Sequence, residues 1–204
     1  MKKGRVAVFL SGRGSNFVSI TRAARAKGSN YTVRLVICDR PEAPGLEKAA
    51  RMGIPAHFVD PGKFPGKFAY EASIRGLLER EGIELICLAG YMRLVGPVLL
   101  ERYAGRILNI HPALLPSFPG LDAQARALRH GVKVSGCTVH FVDAGTDTGP
   151  IIAQQAVPVR DDDDEAALAR RILRQEHRLY PWAISQFFAG RLQIRGRTVI
   201  IRKK

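Results

Sequence analysis

Apolar runs alternate with amphipathic segments along the first half of the chain. Four short runs have the apolar character of strands buried in a parallel sheet: 5–10, 32–38, 85–89 and 106–110. A shorter run at 55–59 is predicted to be either a short strand or an extended segment. Helical spacing between these runs predicts helices at 17–27, 45–52, 64–80, 97–103 and 123–129. The alternation predicts an α/β fold with a doubly wound, mostly parallel sheet and helices on both faces.

The pattern changes after residue 130. Two long β-rich runs predict antiparallel strands added to the sheet, at 132–142 and 151–159. An amphipathic helix is predicted over 165–189, with an interruption near Pro181, and a hairpin over 192–201 turns at Arg195-Gly196. The acidic run at 161–165 favours a helix N-terminus over a metal site. No repeat or linker divides the chain, so we expect one domain over residues 1–204.

Composition narrows the function classes. The chain has 204 residues, 46% of them hydrophobic, and no apolar run long enough to span a membrane. Its net charge of +14 suggests nucleic-acid binding as a hypothesis. The basic residues are dispersed, however, and the sequence contains no nucleic-acid-binding motif. The charge equally suits phosphorylated or polyanionic small substrates. The chain has three cysteines, Cys38, Cys87 and Cys137, and their spacing is not that of metal ligands. We therefore expect a cytoplasmic protein.

An amide and an imidazole stand where the fourth apolar run opens into a proline-rich loop. Asn109 and His111 are two residues apart, so on a strand they project to the same face. Ligands bind at such carboxyl ends in open α/β sheets. An Asn can donate a hydrogen bond to an oxyanion, and a His can carry a proton near neutral pH. The alternative is a loop pair without a catalytic role.

The loop SGRGSN at 11–16 joins the first strand to the first helix. Gly12 and Gly14 allow a tight turn, and Ser15 or Asn16 is predicted to cap the helix. A helix N-terminus after a Gly-rich loop attracts phosphate. The loop matches neither the Walker A pattern nor the full dinucleotide fingerprint, so an ordinary turn stays open as the alternative.

Four segments together resemble the folate-dependent formyltransferases: SGRGSN, LAGYMRLV, RILNIHPALLPSFPG and VDAGTDTGPIIAQ. With QEHRLYPWAI at 175–184, the chain resembles the branch whose acceptor is glycinamide ribonucleotide. The resemblance implies formyl transfer from 10-formyltetrahydrofolate to the amine of that ribonucleotide in de novo purine synthesis. It also implies a phosphate-binding N-terminal half, a folate-binding C-terminal half, no metal, and a monomer or homodimer.

The same resemblance assigns the site residues. The catalytic residues are Asn109, His111 and Asp147. The phosphate of the ribonucleotide is held by Gly14, Ser15 and Asn16. The glycinamide end is contacted by Pro112 and Glu176. Folate is bound by Lys67, Met92, Arg93, Leu94, Val95 and Asn109. Asp147 beside His111 is expected to raise the imidazole pKa.

The helix pattern alone leaves another interpretation for one assigned residue. Glu176 and its neighbour His177 lie on the predicted helix at 165–189, where both can be plain surface charges.

Two positions depart from the family pattern. Asp122 stands where the family usually has His, which changes the charge and hydrogen bonding beside the catalytic group. Lys67 stands where the family often has Arg; it can attract a carboxylate but cannot form a bidentate pair.

Three other functions are weighed against this one. Formyltetrahydrofolate hydrolases usually carry an added N-terminal domain, and methionyl-tRNA formyltransferases a C-terminal β-barrel; we expect neither here. A folate- or nucleic-acid-binding protein without catalysis is disfavoured by the intact set Asn109, His111 and Asp147.

Overall fold

A computed structural model describes residues 3–203 of the protein. Contacts divide the chain into two units, with Leu108 the last residue of the first and Asn109 the first residue of the second. The boundary falls within strand β5, Ile107–His111. In the part described, no helix has the length and apolar character needed to span a membrane.

The first unit has alternating strands and helices. Its elements are β1 Gly4–Leu10, α1 Ser15–Arg25, β2 Tyr31–Cys38, α2 Pro44–Arg51, β3 Ala56–Phe58, a 3-10 helix Pro61–Lys63, α3 Lys67–Arg80, β4 Leu85–Leu88 and α4 Pro97–Arg102. Strand β1 pairs in parallel with β2 and β4, and β2 pairs in parallel with β3. The strands of this unit are therefore parallel, as the sequence pattern predicts.

Helix α3 is shorter than predicted. It begins at Lys67 and not at residue 64, because Phe64 is extended (φ −120°, ψ 144°) and the preceding residues form the 3-10 helix. Pro65 explains this, since the residue before a proline is disfavoured in the helical region.

The second unit adds antiparallel pairs. Its elements are α5 Ala123–His130, β6 Val134–Phe141, β7 Ile151–Pro158, α6 Glu165–Phe188, β8 Leu192–Arg195 and β9 Thr198–Ile201. Strands β6 and β7 are antiparallel, as are β8 and β9, while β9 meets β7 in parallel where Thr198 faces Ile151. The predicted α/β class with an antiparallel C-terminal addition is confirmed.

Helix α6 is continuous, and the predicted interruption at Pro181 is wrong. A proline cannot donate the helical hydrogen bond at its own position. The helix nevertheless buries a stripe at helical spacing, which outweighs that loss: Leu168, Ile172, Glu176, Tyr180, Ala183 and Ile184. The predicted role of the acidic run is confirmed, because Asp164 caps the helix by accepting the Ala167 N–H at 2.6 Å.

Candidate active site

Strand β5 and the loop after β6 bring three polar side chains together in the second unit. The Asn109 amide nitrogen donates to Asp147 Oδ1 at 3.2 Å, and His111 Nδ1 lies 3.2 Å from Asp147 Oδ2. Asn109 and His111 share one side of β5 because they are two residues apart. One carboxylate therefore contacts both of the side chains that the sequence pattern singles out.

Asp147 has a left-handed backbone conformation (φ +55°), which residues other than glycine rarely adopt. Its Oδ2 also accepts the Gly120 N–H at 2.8 Å. Gly149 is required nearby, since a Cβ there would lie 1.8 Å from the Phe141 carbonyl oxygen. Arg197, in the turn between β8 and β9, donates to the carbonyl of Thr148 at 3.1 Å. The loop is thus held at Asp147 itself and at the residue that follows it.

His111 is buried between two oxygen acceptors. Its Nε2 lies 2.8 Å from the carbonyl oxygen of Phe118, and Nδ1 faces Asp147. Burial lowers the pKa of His111 below its ordinary value, although the charge of Asp147 opposes this. The expected effect of Asp147, which raises the His111 pKa by charge pairing, is confirmed, but the loss of solvation outweighs it and the net pKa is lowered.

Asp147 itself stays ionised more readily than an ordinary aspartate. Burial alone would raise its pKa, but the adjacent His140, the Gly120 N–H and the adjacent His111 together lower it. At neutral pH the site therefore pairs a carboxylate with an imidazole that is mainly neutral and able to accept a proton.

His140 is a site residue that the sequence interpretation missed. It lies on β6, 2% exposed, with Nδ1 2.8 Å from the carbonyl oxygen of Phe141. Its Nε2 is 3.1 Å from the Asn109 amide nitrogen and 3.5 Å from Asp147 Oδ1. The sequence does contain a signal for this residue, which is a histidine inside the β-rich run SGCTVHF. A histidine in a buried strand needs polar partners, so it indicates other polar side chains nearby.

The phosphate-loop residues lie at the start of α1 in the first unit. Gly14, and not Ser15 or Asn16, is the N-cap, with φ +67° and no side-chain cap, so the predicted capping is wrong. A Cβ at Gly14 would lie 2.9 Å from the Cα of Gly45, at the start of α2. The close packing selects glycine, and the first helical turn presents backbone N–H groups that suit an anion.

The segment Met92–Val95 follows β4 and is anchored at both ends within the first unit. Its first N–H donates to Ser11 Oγ at 2.8 Å, and the N–H of Gly96 donates to the buried Glu71. Met92 and Leu94 are 59% and 63% exposed, so the anchored segment presents two apolar side chains to solvent.

Two basic residues accompany this segment. The Arg93 guanidinium lies over the Tyr70 ring, 5.4 Å from its centroid. Lys67 is exposed at the first residue of α3. The candidate folate residues other than Asn109 thus lie in the first unit, together with the phosphate loop.

The remaining candidates lie in the second unit. Pro112 is half-buried beside His111. Glu176 is only 6% exposed on α6, so its interpretation as a surface charge is wrong. Burial, with the nearby Glu176 charge, raises the pKa of Cys137 to about 12. Asp122 has an exposed side chain, and its backbone (φ +55°) starts α5.

Metal ligation finds no support in the described residues. Across positions 3–203, no group of three histidine, cysteine or carboxylate side chains is placed to hold a metal ion.

Comparison with known proteins gives consistent similarities. Residues 4–184 match the family described as formyl transferase. The chain is 47% identical over 186 residues to phosphoribosylglycinamide formyltransferase of Bacillus subtilis, covering 91% of the chain and 94% of that protein. It is 40% identical over 193 residues to the human trifunctional purine biosynthetic protein adenosine-3, covering 95% of the chain and 19% of that longer protein.

A solved structure shows the same architecture. Glycinamide ribonucleotide transformylase 1 of Symbiobacterium toebii superimposes with a TM-score of 0.97 at 51% identity, over 98% of the chain and 95% of that structure. The match over residues 4–184 and the identity to the Bacillus subtilis protein along most of both sequences show that this chain belongs to the formyl transferase family.

Proposed function

We propose that the protein transfers the formyl group of 10-formyltetrahydrofolate to the amine of glycinamide ribonucleotide. The products are N-formylglycinamide ribonucleotide and tetrahydrofolate, a step of de novo purine synthesis. The observation that supports this most strongly is the contact of Asn109 and His111 with one carboxylate, Asp147. The names of the similar proteins from Bacillus subtilis and Symbiobacterium toebii support the choice of acceptor.

Asn109 stabilises the charge that develops on the formyl oxygen. The substrate amine attacks the formyl carbon and forms a tetrahedral intermediate with a negatively charged oxygen. The amide nitrogen of Asn109 already donates to Asp147 and contacts His140, so the formyl oxygen gains a hydrogen bond by replacing one of them. Removing an oxyanion donor of this kind costs about 10²- to 10³-fold in kcat.

His111 and Asp147 move the proton. The attacking amine must lose a proton, and the leaving folate nitrogen must gain one. The Phe118 carbonyl, 2.8 Å from Nε2, keeps the hydrogen of neutral His111 on that nitrogen, so Nδ1 accepts the proton. Asp147, 3.2 Å from Nδ1, stabilises the imidazolium that forms. The imidazolium then returns the proton to the folate nitrogen, so the enzyme ends as it began.

Substrate binding is assigned to the other candidates. Gly14, Ser15 and Asn16 hold the phosphate at the N-terminus of α1. The exposed apolar segment Met92–Val95 packs against the pterin ring, and Lys67 attracts the folate glutamate. Pro112 and Glu176 contact the glycinamide end. The net charge of +14 favours encounter with both anionic substrates.

The proposal also covers the domain organisation, the oligomeric state and the location of the protein. One formyltransferase domain spans residues 1–204, acts as a monomer or homodimer in the cytoplasm, and requires no metal.

Absorbance of the formyl-folate tests the function. Purified protein is mixed with 10-formyltetrahydrofolate, with and without glycinamide ribonucleotide. We expect loss of the formyl-folate only when the ribonucleotide is present; equal loss without it would identify a hydrolase instead.

A pair of variants tests the residue roles. His111→Asn should lower turnover by about 10²-fold or more, while the same change at the exposed His57 should leave it intact. Equal turnover of both variants would refute the role of His111.

A further inference from the structure

We infer that His140 is a positioning residue that orients the Asn109 amide and reserves one of its hydrogens for the formyl oxygen. The inference rests on the proposed function for its catalytic consequence. Its structural basis is the buried contact between His140 Nε2 and the Asn109 amide nitrogen, at 3.1 Å.

The neighbour of His140 determines which ring nitrogen carries the hydrogen. The carbonyl oxygen of Phe141 only accepts hydrogen bonds, and it lies 2.8 Å from Nδ1. Nδ1 therefore carries the hydrogen, and in the neutral ring Nε2 is an acceptor. The Asn109 amide nitrogen must then be the donor in the contact with His140.

Two acceptors consequently determine the orientation of Asn109. Its amide nitrogen donates to Asp147 Oδ1 at 3.2 Å and to His140 Nε2 at 3.1 Å. Turning the amide over would place its oxygen against both of these acceptors, which is unfavourable in a buried site. The amide nitrogen is therefore held toward His140 and Asp147.

The two acceptors are not equivalent. Asp147 is a carboxylate, and hydrogen bonds to charged groups are stronger than those between neutral groups. In this tautomer His140 offers a ring nitrogen and not a carboxylate, so the hydrogen that it accepts is the one most easily given to a formyl oxygen. His140 thus keeps this hydrogen in place until the oxygen becomes negatively charged.

Kinetics of three variants test the role. His140→Leu removes the acceptor, and we expect kcat to fall about 10- to 100-fold while KM for the ribonucleotide changes less than about twofold. His140→Gln supplies an oxygen acceptor and should recover kcat to within about threefold of the wild type. Val139→Ala, a fully buried change on the same strand, should lower stability and leave kcat unchanged.

Two kinetic results would overturn the inference. One is the same kcat loss in His140→Gln as in His140→Leu. The other is a kcat loss in Val139→Ala as large as that in His140→Leu, since the effect would then follow destabilisation.

Nitrogen-15 NMR gives a readout that does not depend on turnover. In the wild type at neutral pH, we expect the His140 shifts to show a hydrogen on Nδ1 and a bare Nε2. The side-chain amide signal of Asn109 should move in His140→Leu and stay near its wild-type position in His140→Gln. A hydrogen on Nε2, or an Asn109 signal unmoved in His140→Leu, would overturn the inference. Absence of ribonucleotide-dependent turnover in the wild type would instead refute the proposed function.

Discussion

Two buried hydroxyl groups on strand β6 allow a paired test of how the active-site loop is held. Thr138 Oγ1 donates to the Ala113 carbonyl at 2.7 Å, and it accepts from the Leu115 N–H at 3.1 Å and the Gln154 amide at 3.0 Å. Ser135 is 3% exposed, and within the described chain its Oγ has no hydrogen-bond partner. Thr138→Val and Ser135→Ala therefore remove hydroxyls of similar burial and different bonding.

The expected costs follow from the groups left behind. Thr138→Val leaves the Leu115 N–H and the Ala113 carbonyl buried without this partner, at about 1–3 kcal/mol each, or about 4 kcal/mol together. Gln154 keeps its bond to the Leu115 carbonyl, at 2.8 Å. The added methyl returns about 1 kcal/mol, which leaves about 3 kcal/mol of destabilisation. Ser135→Ala should change stability by about 0 to 1 kcal/mol in the stabilising direction, because an unbonded hydroxyl is removed.

Thermal and urea unfolding of the two variants measure this difference. About 3 kcal/mol corresponds to a fall in Tm of about 6–12 °C for a chain of this size. We expect that fall in Thr138→Val and no fall in Ser135→Ala. Equal Tm values for the two variants would refute the reasoning that bonding, and not burial, determines the cost.

Three further predictions concern activity. The acid limb of the pH profile of kcat/KM should have its midpoint below pH 6.5, because burial lowers the His111 pKa and only neutral His111 accepts the proton. Asp147→Asn removes a charge that raises this pKa, so the midpoint should move to still lower pH. A midpoint that moves to higher pH in Asp147→Asn would contradict this role of the Asp147 charge. Arg197→Gln removes the hydrogen bond to the Thr148 carbonyl and should lower kcat about tenfold. Arg202→Gln, which removes a hydrogen bond to Gln193, should leave kcat unchanged. Equal kcat values for the two variants would show that Arg197 does not hold the Asp147 loop. Gly14→Ala places an alanine in the left-handed backbone region, which costs about 1–2 kcal/mol and distorts the loop at the start of α1. The KM for the ribonucleotide should therefore rise more than the KM for the folate. A larger rise in the KM for the folate would disfavour phosphate binding by this loop.

Local pattern was sufficient for most elements of the fold. Apolar runs and helical spacing each depend on residues close in sequence, so the parallel strands and the C-terminal hairpin were predictable. The errors came where local signals compete with packing or with each other. Helical spacing alone places Phe64 in α3, although the following proline disfavours helix there. The proline rule alone predicts a break at Pro181, although the buried stripe keeps α6 continuous.

The candidate site was predictable in part. Asn109 and His111 follow from their spacing at the end of a strand, and the resemblance supplied Asp147 from a segment far along the chain. Glu176 shows the limit of helix pattern alone, since the pattern allowed a surface charge and the structure buries it.

The sequence by itself determined the strands, the glycine turns and the polar residues at the end of β5, because these depend on neighbours along the chain. Only the tertiary structure decided that His140 contacts Asn109 and that the His111 pKa is lowered. Hydrogen-bond partners and solvation depend on which distant groups pack around a side chain, and a one-dimensional pattern does not contain that information.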